Sequence, residues 1–274
     1  VVGGGGDAVI QTIGSGVIDS STLMTTIGTA GIVCSSLEEF RENPGGRLQL
    51  FCNVIPGKWH VMGVTLAAGA SLQWAKRLLF GAEPPAGVNV YQRINEEAAQ
   101  SAPGSGGVIF LPYLSGERCP YPDPNARGAF IGLSMNSTRA DLLRSVMEGV
   151  IFSFRDVAHF LDDMGIKYET IVTSGGGAQS ALWRQIHADV FKKDVLTVNA
   201  SREGAAYGAA LVAGVGTGVW PSLEVIIQRL AVETRTRPQP DHFARYDEMY
   251  EIYRKQYERL KPTFDELGTV YAHV

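Results

Sequence analysis

The first residue with clear chemical potential is an aspartate that follows a run of four glycines. The segment Gly3–Gly6 comes after two valines and leads directly into Asp7. Glycine has no Cβ, so such a run can turn tightly and lie close to a bound group. We predict that Val1 and Val2 end a strand and that Asp7 is aimed at a substrate. The alternative is a glycine-rich terminus without a chemical role.

A second feature is a glycine turn between two β-rich runs. Leu23–Ile27 and Ile32–Cys34 flank the tetrapeptide Gly28–Gly31, which reads Gly-Thr-Ala-Gly. β-Branched residues on both sides of such a turn are typical of a hairpin. The backbone N–H groups of the turn and the hydroxyl of Thr29 can hold phosphate oxygens. A purely structural hairpin is the alternative.

Three more glycines follow a third β-rich run. Ile171–Ser174 is predicted to be a strand, Gly175–Gly177 comes directly after it, and Ser180–Phe191 is predicted to be a helix. A strand, a glycine-rich turn and a helix in this order let the backbone approach a nucleotide. The triplet is therefore a candidate nucleotide-binding turn.

Strands and helices alternate through the rest of the chain, which indicates an α/β protein. Ala67–Phe80 carries apolar residues at helical spacing, with Gly69 and Gln73 one turn apart. Residues 81–106 are predicted to form a surface excursion around a short helix. Further strands are predicted at Leu48–Val54, Trp59–Thr65, Val108–Leu111 and Val195–Val198, and further helices at Ala8–Ile18, Val90–Gln100, Thr138–Met164, Gly204–Val215 and Asp241–Leu267.

Two of these helices carry predictions about packing. Gly204–Val215 is rich in alanine and glycine, so we expect a buried helix that lies very close to a sheet. The segment between Glu203 and Glu224 has no charge, but its glycines and Pro221 argue against a membrane span. The C-terminal helix has an aromatic stripe, which we expect to dock on the protein's own core. The stripe consists of Phe243, Tyr246, Tyr250, Tyr253, Tyr257 and Leu260.

A long loop leads from the Val108–Leu111 strand towards the longest predicted helix. Pro112–Gly128 is rich in proline and carries charges of both signs, among them Glu117 and Arg118. Long ordered loops often have a function. A rigid crossover, in which Glu117 and Arg118 are internal structural partners, is an equally good interpretation.

The composition argues against several classes of function. The 274 residues are 45% hydrophobic and carry a net charge of −4, so there is no basic field for nucleic acid or an anionic membrane. We expect no signal peptide, because no charged region precedes an apolar one. Cys34, Cys52 and Cys119 are widely spaced, which predicts reduced thiols in a cytoplasmic protein. The five histidines lack metal-binding spacing, so no metal site made by protein side chains alone is predicted.

One longer pattern resembles a known family. Gly128-x-Phe130-x-Gly132-Leu133 is followed, after seven residues, by Asp141-Leu142-x-x-Ser145-Val146-Met147-Glu148. This pattern is similar to the C-terminal signature of the FGGY carbohydrate kinases at every constrained position. Pro112–Arg118 and Pro56–Met62 resemble the xylulokinase branch of that family in particular. The resemblance extends over essentially the whole chain.

The resemblance implies a fold and an activity. FGGY kinases consist of two actin-like domains of the ribonuclease H type, with ATP and the sugar bound between them. Residues 1–274 would be the C-terminal domain, a mixed sheet flanked by helices, with a C-terminal helix at about 241–267. The start at a valine inside an apolar-glycine pattern also suggests a piece of a longer protein. Joined to its N-terminal domain, the chain would phosphorylate D-xylulose. Alone, it would be inactive, and it would be free to form a homodimer.

The resemblance also assigns roles to individual residues. Asp7 matches the catalytic base, and the cofactors implied are ATP and Mg²⁺, with no metal ligand from the protein. The implied nucleotide-binding residues are Gly28, Thr29 and Gly31 at the phosphates, Gly69 and Gln73 along the nucleotide, and Gly176, Gly177 and Ala178 at the adenosine.

Two positions depart from the family pattern. Many relatives have an amide side chain directly after the catalytic aspartate, where this chain has Ala8, so that sugar contact is absent. Some relatives place an asparagine four residues after the last glycine of the adenosine turn, where this chain has Ala181. Apolar packing from Ala178, Ala181 and Leu182 would replace the missing adenine contact. Alternatives are another FGGY kinase, such as a gluconokinase, ribulokinase or glycerol kinase, or a nucleotide- or sugar-binding module without catalysis.

Overall fold

The centre of the molecule is a seven-stranded mixed sheet. The computed structural model describes residues 1–81, 89–199 and 204–271. In chain order the strands of this sheet are β1 (Thr22–Ile27), β2 (Gly31–Leu37), β3 (Gln49–Cys52), β4 (Trp59–Thr65), β7 (Thr170–Ser174), β8 (Asp194–Val198) and β9 (Val232–Thr236), while β5 (Ile109–Leu111) and β6 (Ala129–Ile131) form a separate pair. The sheet order is β3-β4-β2-β1-β7-β8-β9. Strand β1 pairs antiparallel with β2 and parallel with β7, so the predicted hairpin is confirmed.

Helices cover both faces of this sheet. In chain order they are α1 (Asp7–Gly14), α2 (Gly69–Phe80), α3 (Val90–Ala98), α4 (Arg139–Asp163), α5 (Ala181–Phe191), α6 (Ala205–Gly216), α7 (Leu223–Ile227), α8 (Phe243–Tyr253) and α9 (Gln256–Tyr271). One face packs on α2, α4 and α5 in the main apolar core, which includes Leu23 and Ile27 of β1. The other face packs on α1, where Thr12 contacts Cys34 of β2. The predicted fold class, a mixed sheet between helices, is confirmed.

The long helix α4 supports the centre of the sheet and has well-defined ends. The Thr138 hydroxyl accepts the N–H of Asp141, and the Asp141 carboxylate accepts the N–H of Thr138. This capping box satisfies backbone donors that the helix leaves free at its start. Gly165 follows the helix with a φ of +73°, a conformation that favours glycine. The predicted helix is therefore confirmed at both ends.

Three predictions about local structure are wrong. Residues 1–6 form no strand, because the edges of the sheet belong to β3 and β9. Helix α6 packs on α1 rather than on the sheet, and only its Gly208 and Leu211 are buried. The C-terminal segment is two helices, α8 and α9. At the break the Ile252 carbonyl accepts the Gln256 side chain (2.6 Å) and the N–H of Lys255 (3.3 Å), three residues on rather than four. None of the described helices is long and apolar enough to cross a membrane.

The aromatic stripe of the C-terminal segment docks on the core, as predicted. Tyr246, Tyr250, Tyr253 and Tyr257 are all buried. Three of them donate hydrogen bonds to buried carboxylates: Tyr246 to Glu148 (3.0 Å), Tyr250 to Asp156 (2.6 Å) and Tyr257 to Asp123 (2.9 Å). Buried carboxyl groups require hydrogen-bond partners. These bonds therefore help to fix the C-terminal segment on the core, in addition to its apolar contacts.

The proline-rich loop is tied to the sheet by one carboxylate. Glu117 is only 4% exposed, and its Oε1 accepts the N–H groups of Leu66 (2.9 Å) and Arg118 (2.7 Å). Leu66 directly follows β4, so the loop is clamped to the end of that strand. Arg118 has an exposed side chain. The clamp interpretation therefore holds for Glu117, while the Arg118 side chain makes no hydrogen bond or ion pair with any other described residue.

Four buried titratable side chains make the stability of the fold depend on pH. Burial raises the pKa of Glu117 to about 8 and the pKa of Asp156 to about 7. Each carboxyl has one oxygen without a hydrogen-bond partner among the described residues. Burial lowers the pKa of His60 to about 4 and the pKa of His187 to about 3. Near pH 6.5 all four groups are therefore mostly neutral in the folded state.

The carboxyls and the histidines act with opposite signs. The folded state keeps carboxyl protons that the unfolded chain has lost, so the carboxyls lower stability as the pH rises towards 8. The unfolded chain protonates histidines that the folded state keeps neutral, so their contribution is lost as the pH falls below about 6.5. Above pH 6.5 the loss from the two carboxyls outweighs the small gain that comes from the last histidine protons of the unfolded chain. We expect the free energy of unfolding to drop by about 2 kcal/mol between about pH 6.5 and 8.5.

Denaturant unfolding of Glu117→Gln at the two pH values measures this effect. Glutamine keeps an acceptor for Leu66 and cannot ionise, so we expect more than half of the drop to disappear. Glu248→Gln changes an exposed carboxylate and serves as the control. An undiminished drop in Glu117→Gln would contradict the role of this carboxyl.

Candidate active site

A cleft of about 810 Å³ opens where β1, β7 and the start of α2 meet. Its walls come from the β1–β2 turn, α2, α3, the glycine turn that follows β7 and the start of α5. Six of the eight predicted nucleotide-binding residues line it, namely Gly28, Thr29, Gly69, Gln73, Gly176 and Gly177. Three distant parts of the sequence are thus brought to one cavity.

The β1–β2 turn and the start of α2 are fixed to each other by backbone hydrogen bonds. Gly69 N–H donates to the Gly28 carbonyl (2.7 Å), and the N–H groups of Ala68 and Ala70 donate to the Thr29 carbonyl (3.0 and 3.1 Å). A Cβ on Gly69 would lie 2.6 Å from the Gly28 oxygen. Glycine is required at position 69 because only a residue without a side chain permits this contact.

The glycine turn after β7 is shaped by its packing on β1. Gly175 has a φ of +85°, and a Cβ there would lie 2.6 Å from the Ile27 carbonyl oxygen. A Cβ on Gly177 would lie 2.2 Å from Ile27 Cγ2 and 3.0 Å from the Trp183 ring. A Cβ on Gly176 would meet nothing within 4 Å. Gly176 therefore presents open backbone at the cleft, while its two neighbours hold the turn in place.

Two predicted residues lie outside the cleft. A Cβ on Gly31 would lie 2.2 Å from Phe154 Cε1 and 2.4 Å from the Thr65 hydroxyl, so this glycine is needed for packing on α4. Ala178 is only 4% exposed and lines a second cavity on the other side of the turn. Its carbonyl accepts a hydrogen bond from Arg184 (2.6 Å).

Helix α3 forms one wall of the cleft. The sequence predicts it only as a short helix within a surface excursion. Its cleft-lining residues are Asn89, Tyr91, Gln92, Asn95 and Glu96. The opposite side of the helix buries Val90, Ile94 and Ala98. This amphipathic pattern was visible in the sequence. The pattern does not reveal the role of α3, because the same polar residues suit a helix face that contacts water and one that contacts a ligand.

Asp7 is the first residue of α1 and is exposed. Its Oδ1 accepts the N–H of Ala8 (2.8 Å), and the carboxylate does not line the cleft. One turn along α1, Gln11 Nε2 donates to the Thr26 hydroxyl (3.4 Å) on β1. Strand β1 leads directly into Gly28. This bond therefore links the helix that begins at Asp7 to the strand that leads into the β1–β2 turn.

The described residues offer little support for thiol or metal chemistry. Burial raises the pKa of Cys34 to about 12, so this thiol is not a nucleophile at neutral pH. No three histidine, cysteine, aspartate or glutamate side chains come together as a metal-binding group within the ranges that the structure describes.

Both the sequence and the fold are similar to those of known carbohydrate kinases. The model of the "FGGY family of carbohydrate kinases, C-terminal domain" matches residues 23–217. The xylulose kinase of Staphylococcus epidermidis is 34% identical over 271 residues, which are 98% of this chain and 53% of that protein. The solved structure of ligand-bound xylulose kinase from Lactobacillus acidophilus has a TM-score of 0.87 and 28% identity, covering 96% of this chain and 52% of that one. A gluconate kinase structure from the same organism gives the same TM-score, identity and coverage.

This chain thus spans about half the length of the curated relatives and solved structures that it matches.

Proposed function

The chain belongs to the FGGY family of carbohydrate kinases, and we propose that it is the nucleotide-binding half of an ATP-dependent sugar kinase and supplies the catalytic carboxylate. The observation that carries the proposal is the cleft, in which Gly28, Thr29, Gly69, Gln73 and the glycine turn lie together. Packing within the protein explains why residues 69 and 177 are glycines, but no protein atom lies close enough to explain the glycine at position 176. A nucleotide lying against it supplies an explanation.

The residues of the cleft fit a nucleoside triphosphate. The exposed Thr29 makes no side-chain hydrogen bond within the described residues, so its hydroxyl is free for a phosphate oxygen. Gln73 lies one turn after Gly69 on the same wall and adds an amide. Hydroxyl, amide and open backbone are groups that bind phosphates without a dedicated cationic side chain.

Asp7 is proposed to act on the acceptor hydroxyl of the sugar. Phosphoryl transfer has a loose transition state, so an enzyme contributes mainly by positioning groups and neutralising charge. The carboxylate orients the hydroxyl and accepts its proton as the oxygen bonds to phosphorus. An exposed carboxylate at the start of a helix fits this role, since the acceptor has to reach it from outside this chain.

Mg²⁺, held mainly by the nucleotide phosphates, would neutralise their charge. Asp7 would lie in its outer coordination shell.

D-xylulose is the proposed sugar. The proposal is supported by relatives of 34% identity that carry the name xylulose kinase. Gluconate is the second candidate, because a gluconate kinase structure is equally similar to this chain. Most of the sugar contacts are expected from the half of the protein that these residues do not include. Phosphorylation assays on both sugars with the complete kinase separate the candidates.

Titration calorimetry with Mg·ADP tests the nucleotide site on this chain. Gly176→Val adds a side chain on the open side of the turn, where a Cβ meets no protein atom within 4 Å, so we expect the affinity to fall at least tenfold, about 1.4 kcal/mol. Gly177→Val is less informative, because it also overlaps with Ile27.

The matched control is Gly4→Val, another glycine whose Cβ would meet nothing within 4 Å. It lies outside the cleft and should leave the affinity unchanged. Equal affinities of wild type and Gly176→Val would exclude the nucleotide from this turn.

A further inference from the structure

The two walls of the nucleotide cleft differ in polarity. The wall from α5 presents Ala181 and Leu182, and the indole N–H of Trp183 is turned away to the Met147 carbonyl (3.0 Å). The wall from α3 presents amides and a carboxylate. Between these two walls, polar recognition of a base therefore has to come from α3, since the amide of Gln73 lies on the α2 wall, where the proposed site holds the phosphates.

One amide on α3 is held in a single orientation. The Ser180 hydroxyl donates to Asn95 Oδ1 (2.6 Å) and accepts the N–H of Trp183 (3.1 Å) as the N-cap of α5. Asn95 Oδ1 is thus occupied, and Nδ2 makes no hydrogen bond within the described residues. The amide spans the two walls of the cleft and keeps both of its N–H groups for a ligand. A donor fixed in advance loses little entropy on binding.

We propose that Asn95 determines the base specificity of the site by donating from Nδ2 to N1 of adenine. This inference rests on the proposed nucleotide site and assigns the purine that the site takes. Glu96 adds an acceptor to the same wall, and its carboxylate is held by Gln92 Nε2 (2.9 Å). Adenine carries an acceptor at N1 beside an amino donor at C6, which matches a donor and an acceptor on α3.

Hypoxanthine and guanine reverse this pattern. Each has an N1–H donor and an O6 acceptor, so the N–H of Asn95 would face another N–H. A site built to hydrogen-bond one group rejects the analogue that cannot make the bond, because its own polar atoms are left unpaired. The cleft should therefore discriminate against inosine diphosphate, which differs from adenosine diphosphate only at these two positions.

The test is calorimetric titration of this chain with ADP and with inosine diphosphate. For wild type we expect ADP to bind about tenfold more tightly. Asn95→Ala should bring the two affinities to within about threefold. Asn95→Asp keeps the acceptor for Ser180 and replaces the donor with a second acceptor, so it should reverse the preference. A structural role of Asn95 would lower both affinities together and leave their ratio unchanged.

Gln179 provides the matched control. It is another amide that lines the cleft, is exposed, and has no side-chain partner among the described residues. Gln179→Ala should leave the preference unchanged. The inference is overturned if wild type shows no preference, if the Asn95 variants keep the wild-type ratio, or if Gln179→Ala is the variant that loses it. Failure of wild type to bind either nucleotide would instead overturn the proposed function, and the inference with it.

Discussion

Asp7→Asn is expected to lower kcat of the complete kinase about a thousandfold while nucleotide affinity stays the same. The complete kinase is this chain joined to the N-terminal half of the kind that its relatives contain. The amide fills the same space as the carboxylate but cannot accept the proton of the sugar hydroxyl. Because Asp7 does not line the nucleotide cleft, the binding of ADP should not change.

Two further variants distinguish the loss of the base from damage to the helix. Asp7 also lies in the first turn of α1, where a negative charge stabilises the helix by about 0.5 kcal/mol. Asp7→Glu keeps this charge but displaces the carboxylate, so kcat should still fall strongly. Asp19→Asn removes a carboxylate outside the cleft whose side-chain hydrogen bonds, within the described residues, go to Ser21, and it should leave kcat within about twofold. Full turnover in Asp7→Asn would remove this residue from the mechanism.

The glycine turns show how far sequence reasoning can go. Gly69 and Gly177 were predicted to lie beside a ligand, and both line the cleft. Their small size is nevertheless demanded by protein atoms, the Gly28 oxygen and the Ile27 side chain. Gly31 gave the same signal but packs on Phe154, away from the cleft. A sequence shows that a close approach takes place; only the structure shows whether a ligand or another part of the protein makes it.

Helix α3 illustrates the opposite limit. Its buried residues keep helical spacing, so the existence of the helix was predictable and is confirmed. Its place beside the glycine turn brings Asn95 into contact with Ser180, which is 85 positions away in the sequence. No local pattern encodes that contact. For the same reason, the small residues of α6 predicted a close neighbour but not that the neighbour is α1.

The contact between α6 and α1 leads to the prediction with the largest effect on stability. A Cβ on Gly208 would lie 2.0 Å from the Ile10 carbonyl oxygen, and a Cβ on Gly14 would lie 2.7 Å from the Gly204 oxygen. The two helices thus meet through backbone on both sides. Backbone atoms cannot rotate away as the end of a side chain can, so a single methyl group at position 208 has to push the helices apart.

Gly208→Ala should therefore destabilise the protein by about 3 kcal/mol, which lowers Tm by roughly 6–12 °C. The sign is opposite to that of an ordinary helix, where the same change is stabilising by about 1 kcal/mol. Thermal unfolding measures the effect, and Ala209→Val, at an exposed position on the same helix, should shift Tm far less. An increase in Tm for Gly208→Ala would contradict the close contact. Since α1 begins at Asp7, the variant should also lower kcat of the complete kinase more than it lowers nucleotide affinity.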